Sequence, residues 1–126
     1  MSYSDPRPYA YSYYHDFGAA TEALVLRGPS GKRGSIKEIE VEAIETFTNT
    51  TTEGFVRLGS GAAGYEYVNM GLGTLADGAQ SRLTDVAADL VLDALPADTT
   101  VHLTLVAPTG GTPAGKAHVH VMIEWY

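Results

Sequence analysis

The stretch that most constrains this chain is its last, Val101 to Tyr126, VHLTLVAPTGGTPAGKAHVHVMIEWY. Two runs in it alternate apolar and polar residues, and a loop rich in Gly, Pro and Thr joins them. Val101, Leu103 and Leu105 share one parity of the first run. Val119, Val121, Ile123 and Trp125 share one parity of the second. A period of two turns one face of a sheet inward and the other outward. The loop Pro108–Lys116 is too long for a two-residue turn, and its glycines and prolines mark it as a hairpin tip. The expectation is a long antiparallel hairpin that commits Trp125 to the core.

With 126 residues, the chain has room for one domain and not comfortably for two. An apolar content of 44% is that of an ordinary globular protein. The formal net charge of −7 disfavours nucleic acid or an anionic membrane as a partner. The absence of cysteine removes disulfides, zinc–thiolate sites and thiol nucleophiles. No apolar run at the N-terminus suits a signal peptide, and none anywhere is long enough to span a bilayer. Synthesis in a cytoplasm is the expectation.

Residues 1–20, MSYSDPRPYAYSYYHDFGAA, differ from the rest. Tyr3, Tyr9, Tyr11, Tyr13, Tyr14 and Phe17 crowd this segment, and Pro6 and Pro8 hold it extended. Tyr9, Tyr11 and Tyr13 fall on one side of an extended chain. Tyrosine offers large contact area and a hydroxyl, so it is enriched at interfaces. Two destinations stay open for such an arm: folded over its own domain, or laid on a neighbouring subunit. The organisation expected is an arm at 1–20 and one β-sandwich domain at 21–126.

Glu22–Arg27 is a strand candidate. The following Gly28-Pro29-Ser30-Gly31-Lys32-Arg33-Gly34 is not a phosphate loop, since Arg33 stands where that motif needs Ser or Thr, and a strand follows in place of a helix. Ser35–Thr48 is the clearest long strand. Ile39, Val41, Ala43 and Phe47 keep one parity, and Glu38, Glu40 and Glu42 the other. Ile44 and Glu45 break the alternation, which marks a bulge or a change of sheet. The glutamates, about 7 Å apart along one face, suit a calcium or magnesium ion, but a solvated acidic face, or one met by a neighbour's basic residues, is the ordinary reading of such a row. Phe55–Leu58 and Tyr65–Met70 read as further strands. Arg82–Leu95 carries Leu83, Val86, Ala87, Leu90 and Val91 at helical spacing, so one short helix is expected near 82–94. Short strands at regular spacing argue for an all-β fold, an antiparallel β-sandwich of jelly-roll type.

Chemistry is sparse. His102, His118 and His120 are the candidates for a metal or acid–base cluster, and a hairpin would bring them to one face. Two histidines at i, i+2 on an exposed strand face are usually plain polar strand residues, and a third option is that they face a partner. No G-x-S-x-G elbow and no cofactor motif occurs. The expectation is therefore no enzyme, no catalytic residue, no cofactor and no metal.

The motifs at Phe47–Thr50, Val56–Gly59, Gly64–Tyr67, Pro96–Thr99, Ala107–Gly115 and Trp125-Tyr126 follow one another in a recognisable order. In that order the chain resembles small structural proteins of tailed bacteriophages, the capsid decoration or cement proteins of β-sandwich type. The resemblance implies a virion protein on the capsid surface, made in the host cytoplasm. It implies binding to the major capsid protein and a homo-oligomer, trimer favoured over dimer. The residues expected to touch a partner are Tyr3, Tyr9, Tyr11, Tyr13, Tyr14 and Phe17 of the arm, and Thr109 and Thr112 of the hairpin tip. A carbohydrate- or receptor-binding module of a tail or spike is the alternative, with tyrosines stacking on sugars.

Overall fold

A computed structural model gives the fold and describes residues 7–83, 89–91, 94–98 and 100–126. Among the described residues nine strands run in order: β1 (Arg7–Asp16), β2 (Glu22–Leu26), β3 (Gly34–Thr48), β4 (Phe55–Gly59), β5 (Val68–Gly71), β6 (Gln80–Arg82), β7 (Ala94–Leu95), β8 (Val101–Val106) and β9 (Ala114–Trp125). They form two antiparallel sheets. One has the order β1-β9-β3-β6, with the short β7 also on β3; the other has the order β2-β8-β4-β5. Successive strands mostly cross from one sheet to the other, and the first and last strands lie side by side. That order is the jelly roll, two Greek keys folded face to face. The all-β sandwich expected from the strand spacing is the fold. The helix expected near 82–94 falls mainly on 84–88 and 92–93, outside the described residues, between β6 and β7.

The terminal hairpin is corrected. β8 pairs with β2 and β4, whereas β9 pairs with β1 and β3, so the two runs lie in opposite sheets. Val101, Leu103 and Leu105 of β8 and Val119, Val121 and Ile123 of β9 are fully buried, within one core shared by the two sheets. Alternation fixes which face of a strand is buried and is silent on which strand lies beside it. The connection from β8 to β9 turns through Gly110 and Gly111, both at positive φ (91° and 66°). A Cβ on Gly110 would sit 2.2 Å from the Thr51 hydroxyl.

The break at Ile44 is a bulge: the β3–β9 register shifts between Ala43 and Glu45, and also between Ile36 and Glu38. The Gly28–Gly34 segment has a packing role. A Cβ on Gly28 would lie 2.4 Å from the indole of Trp125, so only glycine leaves room for that ring. Arg33 and Tyr126 exchange main-chain hydrogen bonds of 2.8 Å, and the Arg33 guanidinium lies over the Tyr126 ring. β8 is buried on part of its second face as well. Thr104, 1% exposed, accepts a hydrogen bond from the Ala63 N–H at 2.8 Å beneath the β4–β5 loop.

β1 runs antiparallel to β9 in unbroken register, from Arg7↔Trp125 to Asp16↔Lys116. The chain from Arg7 onward is therefore the edge of the first sheet, folded over its own sandwich. Phe17 follows it into the core.

Candidate partner-binding face

The register sorts the β1 residues into two sets. Tyr9, Tyr11, Tyr13 and His15 oppose Ile123, Val121, Val119 and Ala117. They therefore sit on the inward parity, which the sequence placed on one side. Pro8, Ala10, Ser12 and Tyr14 oppose Glu124, Met122, His120 and His118, and lie on the outward parity.

The inward set seals the open flank of the sandwich. A sheet edge is half wet, so its side chains need an apolar body and a polar tip. Tyr11 meets both needs. Its hydroxyl donates to the Arg27 carbonyl at 2.7 Å and accepts from the Trp125 indole N–H at 3.2 Å. Burial pushes the Tyr11 hydroxyl above the ordinary tyrosine value, against the lowering effect of the Trp125 hydrogen bond; Tyr9 and Tyr13 nearby add to the rise. Burial also raises Tyr13. Tyr9 is 37% exposed at the end of this row, with its ring 6.2 Å from that of Tyr11. His15 is buried, with Nε2 donating to the Ala20 carbonyl at 2.7 Å and Nδ1 3.1 Å from the Glu22 carboxylate. Phe17 is fully buried, its ring 5.1 Å from Phe47 and 4.8 Å from His15. Phe17 is thus a core residue and offers no surface to a partner, because the odd parity of β1 carries it between the sheets. Tyr3 lies outside the described residues.

The outward set builds a broad face across β1, β9, β3 and β6. Row by row the strands bring together Ser12, His120, Glu40 and Arg82, then Tyr14, His118, Glu42 and Gln80. The His118 and His120 rings stack at 6.4 Å and 16°. Tyr14, 52% exposed, tilts against His118 at 5.5 Å. The Ser12 hydroxyl is 2.9 Å from Nδ1 of His120. Met122 stands 44% exposed beside Ala10. On the β3 side run Glu38, Glu40 and Glu42, with Arg82 3.7 Å from Glu40. A shallow depression of about 260 Å³ lies between them, lined by Ala10, Ser12, Glu38, Glu40, His120 and Met122. One half of this face is aromatic and apolar, and the other is a row of carboxylates.

His102 does not join His118 and His120. It lies on β8 in the other sheet, opposite Val25 and Gly59. Among the described residues no group of three or more His, Cys, Asp or Glu side chains is placed to hold a metal ion. Thr109 and Thr112 are exposed at one end of the sandwich. That tip is held: Thr52 and Thr109 bridge through main-chain bonds of 2.9 and 3.2 Å, and the Thr48 hydroxyl donates to the Thr112 carbonyl at 3.1 Å.

Sequence reasoning missed Ala10, Ser12 and Met122 as surface neighbours, and it missed that the glutamate and histidine rows adjoin. The parity of the even-numbered β1 positions was the available signal. Compared with protein-family models, curated proteins and solved structures, the chain matches none.

Proposed function

We propose that this chain is a structural protein that docks on the outside of a bacteriophage capsid and braces the shell through capsid and self contacts, with no chemical step. The observation that carries the reading is the broad outer face of β1, β9, β3 and β6. Small-molecule sites are concave and largely enclosed, whereas this face is shallow and mixed. Tyr14 and Met122 supply exposed contact area of the kind enriched at protein interfaces. The row Glu38, Glu40 and Glu42 suits a partner surface bearing lysine or arginine. A decoration protein repeats such modest contacts by the symmetry of the shell, so each copy needs no large interface of its own. The capsid as partner follows from the motif resemblance at Phe47–Thr50, Val56–Gly59 and Ala107–Gly115.

The test is co-sedimentation with expanded shells of the encoding phage. Wild-type protein is expected to co-pellet, and Tyr14→Ala with Met122→Asp is expected to reduce occupancy at least tenfold without changing the melting temperature by more than a few degrees. Full occupancy by a folded double variant would remove this face from the reading. The exposed Tyr14 ring beside carboxylates also suits a sugar-stacking site. Glycan-array binding that depends on calcium would favour that second reading over the capsid.

A further inference from the structure

We infer that β1 is a self-pairing edge: two copies of the chain join β1 to β1 about a two-fold axis at Ser12, making one continuous sheet across the dimer. This inference does not rest on the capsid reading.

The edges of the two sheets differ in how they are guarded. β1 has 10 residues, whereas the edge strands β2, β5 and β6 have 5, 4 and 3. Exposed edges are normally kept short or blunted with charge, proline or bulges, because their unpaired amides recruit other strands. β1 carries none of these protections between Pro8 and Asp16: the intervening Tyr-Ala-Tyr-Ser-Tyr-Tyr-His core has no formal charge, no proline and no glycine. Its register against β9 is continuous, with no bulge. A chain of net charge −7 repels its own copies wherever acids face each other. β1 offers a neutral edge where two copies can meet.

The hydrogen-bond phase is defined. The Phe17 N–H donates to the Gly115 carbonyl at 2.7 Å, continuing the β1–β9 ladder by one residue. Antiparallel ladders alternate bonded and non-bonded pairs. The odd-numbered residues of β1 therefore bond to β9, and the amides of Ala10, Ser12, Tyr14 and Asp16 point away from the sheet. Among the described residues β1 pairs with β9 alone. Antiparallel pairing about Ser12 places Ala10 opposite Tyr14 of the second copy and Ser12 opposite Ser12. All are outward-bonding positions, and about eight main-chain hydrogen bonds close the joint. Side chains then match in size. The small Ala10 lies beside the large exposed Tyr14 on the outer face, and Tyr11 lies beside Tyr13 on the inner edge. Pro8, which has no N–H to give, falls at the fringe opposite Asp16. An axis at Tyr11 would instead set Pro8 against Tyr14 within the ladder.

The full chain tests this directly. Sedimentation velocity over a concentration series is expected to show a monomer–dimer equilibrium, in place of the trimer favoured by the resemblance. Ser12→Cys, in a chain with no other cysteine, is expected to form a disulfide-linked dimer under mild oxidation. Directly opposed bonded residues have Cα atoms about 5.5 Å apart, within disulfide reach. Glu42→Cys, on the same face but in the sheet interior, is expected to dimerise like the wild type and to form no disulfide-linked dimer. Ser12→Lys is expected to abolish the dimer, and mixing it with Ser12→Asp to restore a heterodimer. The near-isosteric cysteine variant keeps the test open if the lysine variant fails to fold. A wild-type chain monomeric at every concentration would overturn the inference. So would an oligomer that survives Ser12→Lys, a trimer, or equal cross-linking of the Ser12→Cys and Glu42→Cys variants.

Discussion

Phe17→Ala separates an arm that belongs to its own sandwich from one that waits for a neighbour. Phe17 is fully buried, with Phe47 and His15 against its ring. Truncating a buried phenylalanine to alanine costs about 3–5 kcal/mol. The ring pairs it makes contribute about 0.5–1.5 kcal/mol each beyond area burial, which places this site toward the upper part of that range. A domain of this size has about 5–15 kcal/mol in total, so the loss is a large fraction. At about 3–5 °C per kcal/mol, the melting temperature falls by roughly 10–20 °C. Urea unfolding of the isolated chain reads this out through Trp125, the single tryptophan, which is 4% exposed and near β2 and β3. Tyr14→Ala is the matched control, since the Tyr14 ring is half exposed on the outer face, and it is expected to change stability by no more than about 0.5 kcal/mol. If Phe17→Ala cost less than about 1 kcal/mol in the free chain, β1 and its continuation would not be packed on their own domain, and the division into inward and outward sets would fall.

Three further outcomes follow from the same geometry. Gly28→Ala drives a methyl into the Trp125 indole and is expected to cost about 1–3 kcal/mol, with a red-shifted tryptophan emission; unchanged emission and stability would remove the packing role given to the Gly28–Gly34 turn. Tyr11→Phe keeps the ring but loses the bonds to Arg27 and Trp125, for about 1–2 kcal/mol by thermal or urea unfolding at neutral pH. Burial raises the Tyr11 and Tyr13 hydroxyls, so the folded chain holds those protons more tightly than the unfolded one. The stability they contribute is present below about pH 10 and is lost as pH rises through the raised values. Urea midpoints across the alkaline range should therefore fall less steeply in Tyr11→Phe than in wild type, and parallel curves would refute the assignment. Thr104→Val strips the acceptor from the Ala63 N–H and is expected to cost about 1–3 kcal/mol, measured by urea unfolding; a neutral result would mean that the β4–β5 loop finds another partner.

Much of the fold was legible because half-buried strands alternate. β2, β3, β4, β8 and β9 lie close to where the sequence placed them, and the stumble at Ile44 is a true bulge. What alternation withheld was neighbourhood. His102 and the pair His118 and His120 carry the same local signal, yet they sit on opposite sheets. Conversely, Glu40 and Glu42 lie directly across from His120 and His118, although about 80 residues separate them in the chain and no periodicity links them. Composition misled in one place. By composition Phe17 groups with the tyrosines as an adhesive aromatic, but its odd parity continues the inward row Tyr9, Tyr11, Tyr13 and His15 into the core.

That row also explains why tyrosine was chosen. At a sheet edge the inward positions must cover apolar surface and still end in water or on a main-chain carbonyl. Leucine would leave the Arg27 carbonyl and the Trp125 N–H without the partner that Tyr11 provides, and a charged residue would lose its hydration. The tyrosines that first suggest adhesion are thus largely accounted for by the chain's own structure. The positions left over for a partner are the even ones, Ala10, Ser12 and Tyr14, with Met122, His118 and His120 beside them. A tyrosine count therefore overstates the binding surface of this arm, and its parity locates that surface. Scanning substitutions along β1 should accordingly alternate in effect, odd positions lowering stability and even positions lowering association.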